Sequence, residues 1–186
     1  TGEKDGLPMK AGVAVADLFT GIYSVIGILA ALRHAEKTGE GQHIDLSLLD
    51  TQVAWLANQA MNYLVTGQPP TRKGTAHPNI VPYQAFATAD GHLMLAVGND
   101  AQFERFCAAA GAAGLAADAR FSTNAERVAH RGILVPAVEA LLRLRTTAEW
   151  LAALAAAQVP CGPINDLAQV FAEPQVWAGG GVRITS

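Results

Sequence analysis

Basic clusters, cysteine motifs and apolar runs of bilayer length are all missing from this sequence. Its 186 residues carry 13 Lys and Arg against 16 Asp and Glu, a net charge of −3. With no basic face, nucleic acid is excluded as a partner. The two cysteines, Cys107 and Cys161, form no Cys-x-x-Cys motif. Neither a disulfide framework nor a metal site is therefore indicated, and a cytoplasmic location fits.

The longest apolar run, Leu18 to Leu32, is also too short to imply a membrane span. Crossing a bilayer takes about 20 apolar residues. The run also contains Thr20 and two glycines, so we expect a buried core helix. Residues 1–11 are polar and lack the apolar segment of a signal peptide.

What is present is apolar helical periodicity in a first piece, residues 1–66. The pattern predicts a helix over 18–38 that ends at Gly39, and alternation predicts a short strand over 42–46. Ser47, with Asp50 three residues later, is typical of a helix N-terminus, and the helix should run to about residue 66.

Residues 67–82 hold four prolines and predict a linker. A small domain over 83–160 should follow. It opens with a hairpin that turns at Asp90-Gly91 and continues in helices.

The capping pairs Thr123/Glu126 and Thr146/Glu149 predict two of these helices, the first over about 124–144. Residues 161–186 should return to the first piece. The fold class is therefore mixed α/β, with a partial large domain and a small α+β domain.

Asp17 stands directly before the apolar run and has two readings. It can cap the helix, since Asp is among the best N-cap residues. It can also be a nucleophile, because a carboxylate can attack an activated acyl carbon and carry the acyl group as an anhydride. A helix N-terminus would stabilise the anion, and Gly21, one turn later, leaves room for a large substrate.

Three segments resemble the class III CoA-transferase family, the CaiB/BaiF type that includes formyl-CoA transferases and 2-methylacyl-CoA racemases. They read ADLFTGIYSVIGILAALRHAEKTGEGQHIDLSLLD, PYQAFATADGHLMLAVGNDAQFERFCAAAG and VPCGPINDLAQVFAEPQV. The resemblance covers essentially the whole chain, with the three motifs in the family's order.

The resemblance implies that the large domain is Rossmann-like and that CoA moves between carboxylic acids through Asp17. An aspartyl anhydride and an aspartyl-CoA thioester would form in turn. Acyl-CoA and a free acid are then the substrates, with no tightly bound cofactor, no metal and no membrane partner. The family fold is an interlocked homodimer.

The racemase branch is the alternative function. It usually carries a run of glycines after the Asp, whereas this chain has DLFTGIYS, which favours the transferase.

The resemblance also suggests substrate-binding residues beyond Asp17 and Gly21. His77 and Asn79 stand where some transferases have a glycine-rich loop that covers the intermediate, although a plain linker explains them equally well. Asn99 and Asp100 stand near an acid that assists the racemases, but we favour a helix-cap role for them. Cys161 is expected to be a small buried residue rather than a nucleophile, and glycines 179–181 are not expected to form a phosphate loop.

A third possibility is a non-catalytic piece of the larger fold. In the family, the CoA nucleotide binds mainly to an N-terminal part that this sequence does not contain. We therefore expect these 186 residues alone to bind CoA weakly and to turn over nothing, while the full-length protein is active. The acyl groups stay open: formyl, succinyl, oxalyl, carnitine-type and aromatic acids all fit.

Overall fold

A computed structural model describes residues 2–179. The chain divides between Gly74 and Thr75 into an N-terminal unit and a C-terminal unit, each described by itself below. The boundary falls within the proline-rich stretch 67–82. The predicted return segment, 161–186, extends past the last described residue, and so does most of the glycine run 179–181.

The N-terminal unit consists of three helices, α1 (Val15–Thr38), α2 (Leu48–Ala54) and α3 (Ala57–Thr66). Helix α1 ends where the sequence predicts. Gly39 adopts a left-handed conformation with φ of 78°, and its N–H donates to the Ala35 carbonyl. Glycine takes this conformation at no steric cost, which is why it ends helices.

Two secondary-structure predictions for this unit are wrong. Residues 42–46 form no strand, because no described segment pairs with them and an unpaired strand lacks its ladder of hydrogen bonds. The predicted single helix after Ser47 is interrupted before Ala57, whose φ of 45° breaks the helical path. The cap itself is confirmed: the Ser47 hydroxyl accepts from the Asp50 N–H at 3.0 Å.

The apolar helix α1 is not buried in this structure. None of its residues is buried, and apolar side chains such as Leu18, Ile26 and Leu29 are more than half exposed. Among the described residues, α1 alone has the length and composition to cross a membrane, a test that core helices of soluble proteins also pass. The expectation of a buried helix fails because the rest of the N-terminal unit, two short helices and loops, is too small to enclose it.

The C-terminal unit is built on a three-stranded antiparallel sheet of order β1-β2-β3. Its strands are β1 (Tyr83–Ala87), β2 (His92–Ala96) and β3 (Cys161–Pro163). The predicted hairpin is confirmed, with Ala87 opposite His92 beside the Asp90-Gly91 turn. The third strand was not predicted, since three residues around a proline carry no strand signal of their own.

Seven helices accompany this sheet in the described chain. They are α4 (Asp100–Ala109), α5 (Ala113–Ala117), α6 (Asn124–Ala129), α7 (Arg131–Leu142), α8 (Thr147–Ala156), α9 (Leu167–Ala172) and α10 (Pro174–Gly179), with a 3-10 turn at Ala119–Phe121 between α5 and α6.

The predicted caps of these helices are present. Asn99 caps α4 by accepting from the Gln102 N–H at 2.9 Å. Thr146 and Glu149 form a reciprocal capping box on α8, and Thr123 caps α6. The predicted helix over 124–144 is in fact two helices, which meet at His130.

The buried apolar core of the described residues lies wholly in the C-terminal unit, between Val81 and Val159. Apolar residues of the hairpin face α4, α7 and α8 across it. Trp150 is its largest fully buried side chain, and its indole N–H donates to the Leu142 carbonyl at 2.8 Å. A buried indole needs such a partner.

Asp90 gives this unit an acid-sensitive contact. Its carboxylate accepts from the backbone N–H of Thr147 at 2.7 Å and from the Thr147 hydroxyl at 2.9 Å. These bonds, the backbone one first, lower the pKa of Asp90 from its usual 3.8. Since the folded state holds the lower pKa, the contribution is complete above pH 3.8 and disappears as pH falls through the folded pKa.

We therefore predict that Asp90→Asn flattens the pH dependence of stability. The parent chain should lose more stability than the variant between about pH 5 and about pH 2. Urea unfolding midpoints at both ends of that range measure the difference. A parallel fall in the two proteins would contradict the assignment.

Candidate active site

Asp17 does not cap its helix. Helix α1 begins two residues earlier, with Ala14 in the cap position and no side-chain cap, so Asp17 is the third helical residue. The cap reading is therefore wrong. Alanine favours the helix strongly enough to extend it N-terminally, and Asp17 is left exposed in the first turn.

Asp17 lines a cavity of about 380 Å³ within the N-terminal unit. The cavity is formed by the loop before α1, the first turn of α1 and one face of α2. Its lining residues are Lys10, Ala11, Val13, Ala14, Val15, Ala16, Asp17, Gln52 and Trp55. Most of the wall is small and apolar, and Asp17 and Lys10 are the only ionisable groups in it.

Gln52, Trp55 and Lys10 were not predicted as site residues. Gln52 lies on α2, and Trp55, three residues later, is the C-cap residue of that helix, so the two share a face. The Trp55 ring packs against Phe19 with centroids 5.6 Å apart, which fixes α2 beside the turn that carries Asp17. The spacing of three residues predicts that Gln52 and Trp55 share a face. Only the packing of α2 on α1 shows that this face lies beside Asp17.

Gly21 has open space around it. A β-carbon built there would meet no described atom within 4 Å, apart from the helix's own nearby backbone, so packing within the described chain does not require glycine. Glycine inside a helix costs about 1 kcal/mol relative to alanine. The role of Gly21 as a substrate contact stays a prediction.

His77 and Asn79 lie in the C-terminal unit, in a segment that is held at several points. The His77 ring stacks on Tyr83 with centroids 5.2 Å apart, and its Nδ1 accepts from the Asn79 N–H at 3.1 Å. Burial, and then the charge of Arg131, lower the pKa of His77 below its usual 6.5. The lowered pKa favours the neutral imidazole.

The same segment is tied to two helices. Arg131 donates to the His77 and Pro78 carbonyls at 3.2 and 2.8 Å, and the Asn124 amide donates to the Asn79 carbonyl at 2.8 Å. Such anchoring is typical of a fixed segment. Its role as a cover over an intermediate stays a prediction.

Asp100 is engaged by a buried arginine that sequence reasoning missed. Arg127 is fully buried, and its Nη2 donates to the Asp100 carboxylate at 2.7 Å. Its Nε and Nη1 donate to the Val81 and Phe121 carbonyls at 2.8 and 3.0 Å. The Phe103 ring lies 4.6 Å from the guanidinium carbon. This arrangement gives Asp100 a structural partner.

The cysteines carry no nucleophilic signature. Burial raises the pKa of Cys107 to about 11 and also raises that of Cys161. Both thiols are free and therefore protonated at neutral pH, as in inert structural cysteines.

Comparison with known proteins places the chain in a protein family. The model of CoA-transferase family III matches residues 1–185. The succinate–glutarate CoA-transferase of Agrobacterium fabrum is 56% identical over 97% of this chain, which covers 45% of that protein. The human succinyl-CoA:glutarate CoA-transferase is 42% identical, again over 97% of this chain and over 41% of its own length. The chain thus spans less than half the length of these curated relatives.

Solved structures agree on the fold. A CaiB/BaiF family protein from Brucella suis is 50% identical with a TM-score of 0.74, over 97% of this chain and 48% of that one. A Mycobacterium tuberculosis protein, 24% identical, has a TM-score of 0.83 over 95% of this chain and 45% of its own, and shows the fold alone. The mixed fold class of helices with a small antiparallel sheet is confirmed.

Proposed function

Because the chain belongs to CoA-transferase family III, we propose that the full-length protein containing it transfers CoA between carboxylic acids, with Asp17 as the covalent nucleophile. The observation that carries this proposal is the state of Asp17. It lines a cavity from an uncapped helix turn, and it takes part in none of the ion pairs of the described residues.

The proposed reaction proceeds by four acyl transfers. An Asp17 oxygen attacks the thioester carbonyl of the donor acyl-CoA, and the CoA thiolate leaves to give a mixed anhydride. The thiolate attacks the Asp17 carbonyl carbon and expels the donor acid as its carboxylate. The acceptor carboxylate then attacks the carbonyl carbon of this aspartyl-CoA thioester, forms a second anhydride and releases the CoA thiolate. The thiolate finally attacks the acceptor acyl carbon and frees the Asp17 carboxylate.

The first turn of α1 suits this chemistry. The first N–H groups of a helix have no intrahelical partner, and here no side chain caps them. The Val15 N–H donates to the Val13 carbonyl at 3.0 Å, and the following N–H groups, those of Ala16 and Asp17, can donate to the oxyanion that develops as each carbonyl is attacked. The apolar wall of Ala and Val residues would also limit water near the anhydrides, which hydrolyse readily.

The relatives' names suggest the acids. Succinate and glutarate are both dicarboxylic acids, and we propose that this protein exchanges CoA between short dicarboxylic acids of that kind. The cavity of about 380 Å³ lies at the small end of the range of about 300–1,000 Å³ for small-molecule sites. Such a size suits a short acyl chain.

We further propose that the full-length protein is a cytoplasmic homodimer, as the resemblance implies. The exposed apolar side chains of α1 support burial against further protein surface, since large apolar patches rarely stay exposed in water. Gly21, His77 and Asn79 remain proposed substrate contacts. Asn99 and Asp100 are weaker ones, because the cap of α4 and the Arg127 pair already account for them.

The test is to trap the covalent intermediate. The full-length protein incubated with succinyl-CoA and quenched in hydroxylamine or borohydride should yield a peptide modified only at Asp17, by mass spectrometry. A racemase would form no adduct and would instead exchange the α-proton of a 2-methylacyl-CoA with deuterated solvent. Turnover with no adduct at Asp17, together with solvent exchange, would establish the alternative.

A further inference from the structure

Lys10 is the one cationic residue among those that line the cavity around Asp17. Every other lining residue except Asp17 itself is uncharged, and the polar groups among them are the Gln52 amide and the Trp55 indole N–H. The Lys10 side chain is exposed. It belongs to none of the ion pairs found among residues 2–179.

No other lysine or arginine of the N-terminal unit lines this cavity; the others are Lys4, Arg33, Lys37, Arg72 and Lys73. Arg72 donates to the Glu3 and Gly6 carbonyls at 3.4 and 2.7 Å, so it holds the loop that leads to Lys10. Arg33 and Lys37 lie on α1, 16 and 20 residues beyond Asp17. At about 1.5 Å per residue they are roughly 24 and 30 Å further along the helix axis.

A dicarboxylic acid creates a charge that this cavity must accommodate. When one carboxyl group is bonded to Asp17 as an anhydride, it is neutral, but the distal carboxylate keeps its charge. An unpaired carboxylate against an apolar wall is costly. An ammonium group at the cavity wall removes that cost by a charge-assisted hydrogen bond.

We propose that Lys10 binds the distal carboxylate of the dicarboxylic substrate and so selects dicarboxylic over monocarboxylic acids. The inference rests on the proposed function and names the residue that would set its specificity. A monocarboxylic acid of the same length gains nothing from Lys10, because the ammonium group is then simply solvated.

The experiment compares two acceptors in the full-length protein with succinyl-CoA as donor. Glutarate has the distal carboxylate, and pentanoate has the same chain length without it. Because Lys10 is exposed, solvent screens its pairing, and for Lys10→Met we expect kcat/KM with glutarate to fall about 3- to 5-fold. The loss should appear mainly as a higher KM, and kcat/KM with pentanoate should change less than about 1.5-fold.

Two variants and one measurement separate the possible outcomes. Lys37→Met, which removes a lysine at the far end of α1, should leave both acceptors unchanged, and Lys10→Arg should restore most of the preference for glutarate. Equal losses with glutarate and pentanoate would overturn the role of Lys10 while leaving the Asp17 pathway intact. If the unsubstituted protein forms no adduct on Asp17, the proposed function itself is overturned.

Discussion

Replacing Asp17 by asparagine is expected to lower CoA transfer by the full-length protein on the order of 10⁴-fold or more. Asparagine has nearly the same shape as aspartate but cannot form the anhydride, so the covalent pathway disappears. Removal of a covalent nucleophile lowers kcat and leaves substrate binding largely intact. The measurement is steady-state transfer from succinyl-CoA to glutarate, with freshly prepared variant protein to limit deamidation back to aspartate.

The chain offers a matched control in Asp50. Asp50 is the third residue of α2, as Asp17 is the third residue of α1, so both carboxylates interact similarly with a helix dipole. Asp50 does not line the cavity. Asp50→Asn should therefore resemble Asp17→Asn in melting temperature but keep full activity. Near-normal transfer by Asp17→Asn would exclude both a covalent role and a charge-dependent role for Asp17.

The features that the sequence predicts correctly depend on residues a few positions apart. The caps at Ser47, Asn99 and Thr146 follow from a side chain that reaches a backbone N–H three residues on. The Asp90-Gly91 turn follows from a local backbone preference. Each of these signals is complete within its own segment, so the surrounding fold does not alter it.

The features that the sequence misses depend on distant partners. The apolar character of α1 predicts burial, but whether a helix is buried depends on the surface that packs against it. Strand β3 exists only because β2 presents an edge to Cys161–Pro163. For the site, the position of Asp17 before an apolar run is visible in the sequence. Its companions Lys10 and Gln52 become visible only when the loop and α2 meet the first turn of α1.

The burial of Arg127 is also invisible in the sequence, because arginines are expected to be exposed. Arg127→Met should destabilise the C-terminal unit by about 2–4 kcal/mol, mainly because two buried carbonyls lose their donor. The variant loses a 2.7 Å ion pair to Asp100 and leaves the Val81 and Phe121 carbonyls without their donor. Arg127→Lys should also destabilise the unit, because one ammonium group cannot reproduce the planar guanidinium that reaches three acceptors.

The matched control is Arg120, which pairs with Asp118 at the same 2.7 Å but is half exposed. Exposed pairs contribute little because solvent screens them, so Arg120→Met should leave the urea unfolding midpoint nearly unchanged. Near-ultraviolet circular dichroism, which senses the packing of the buried Trp150, is the suitable probe. If both methionine variants have the same urea unfolding midpoint as the unsubstituted protein, Arg127 does not stabilise the unit. If Arg127→Met alone unfolds early, the buried guanidinium stabilises the C-terminal unit through the three acceptors that it joins.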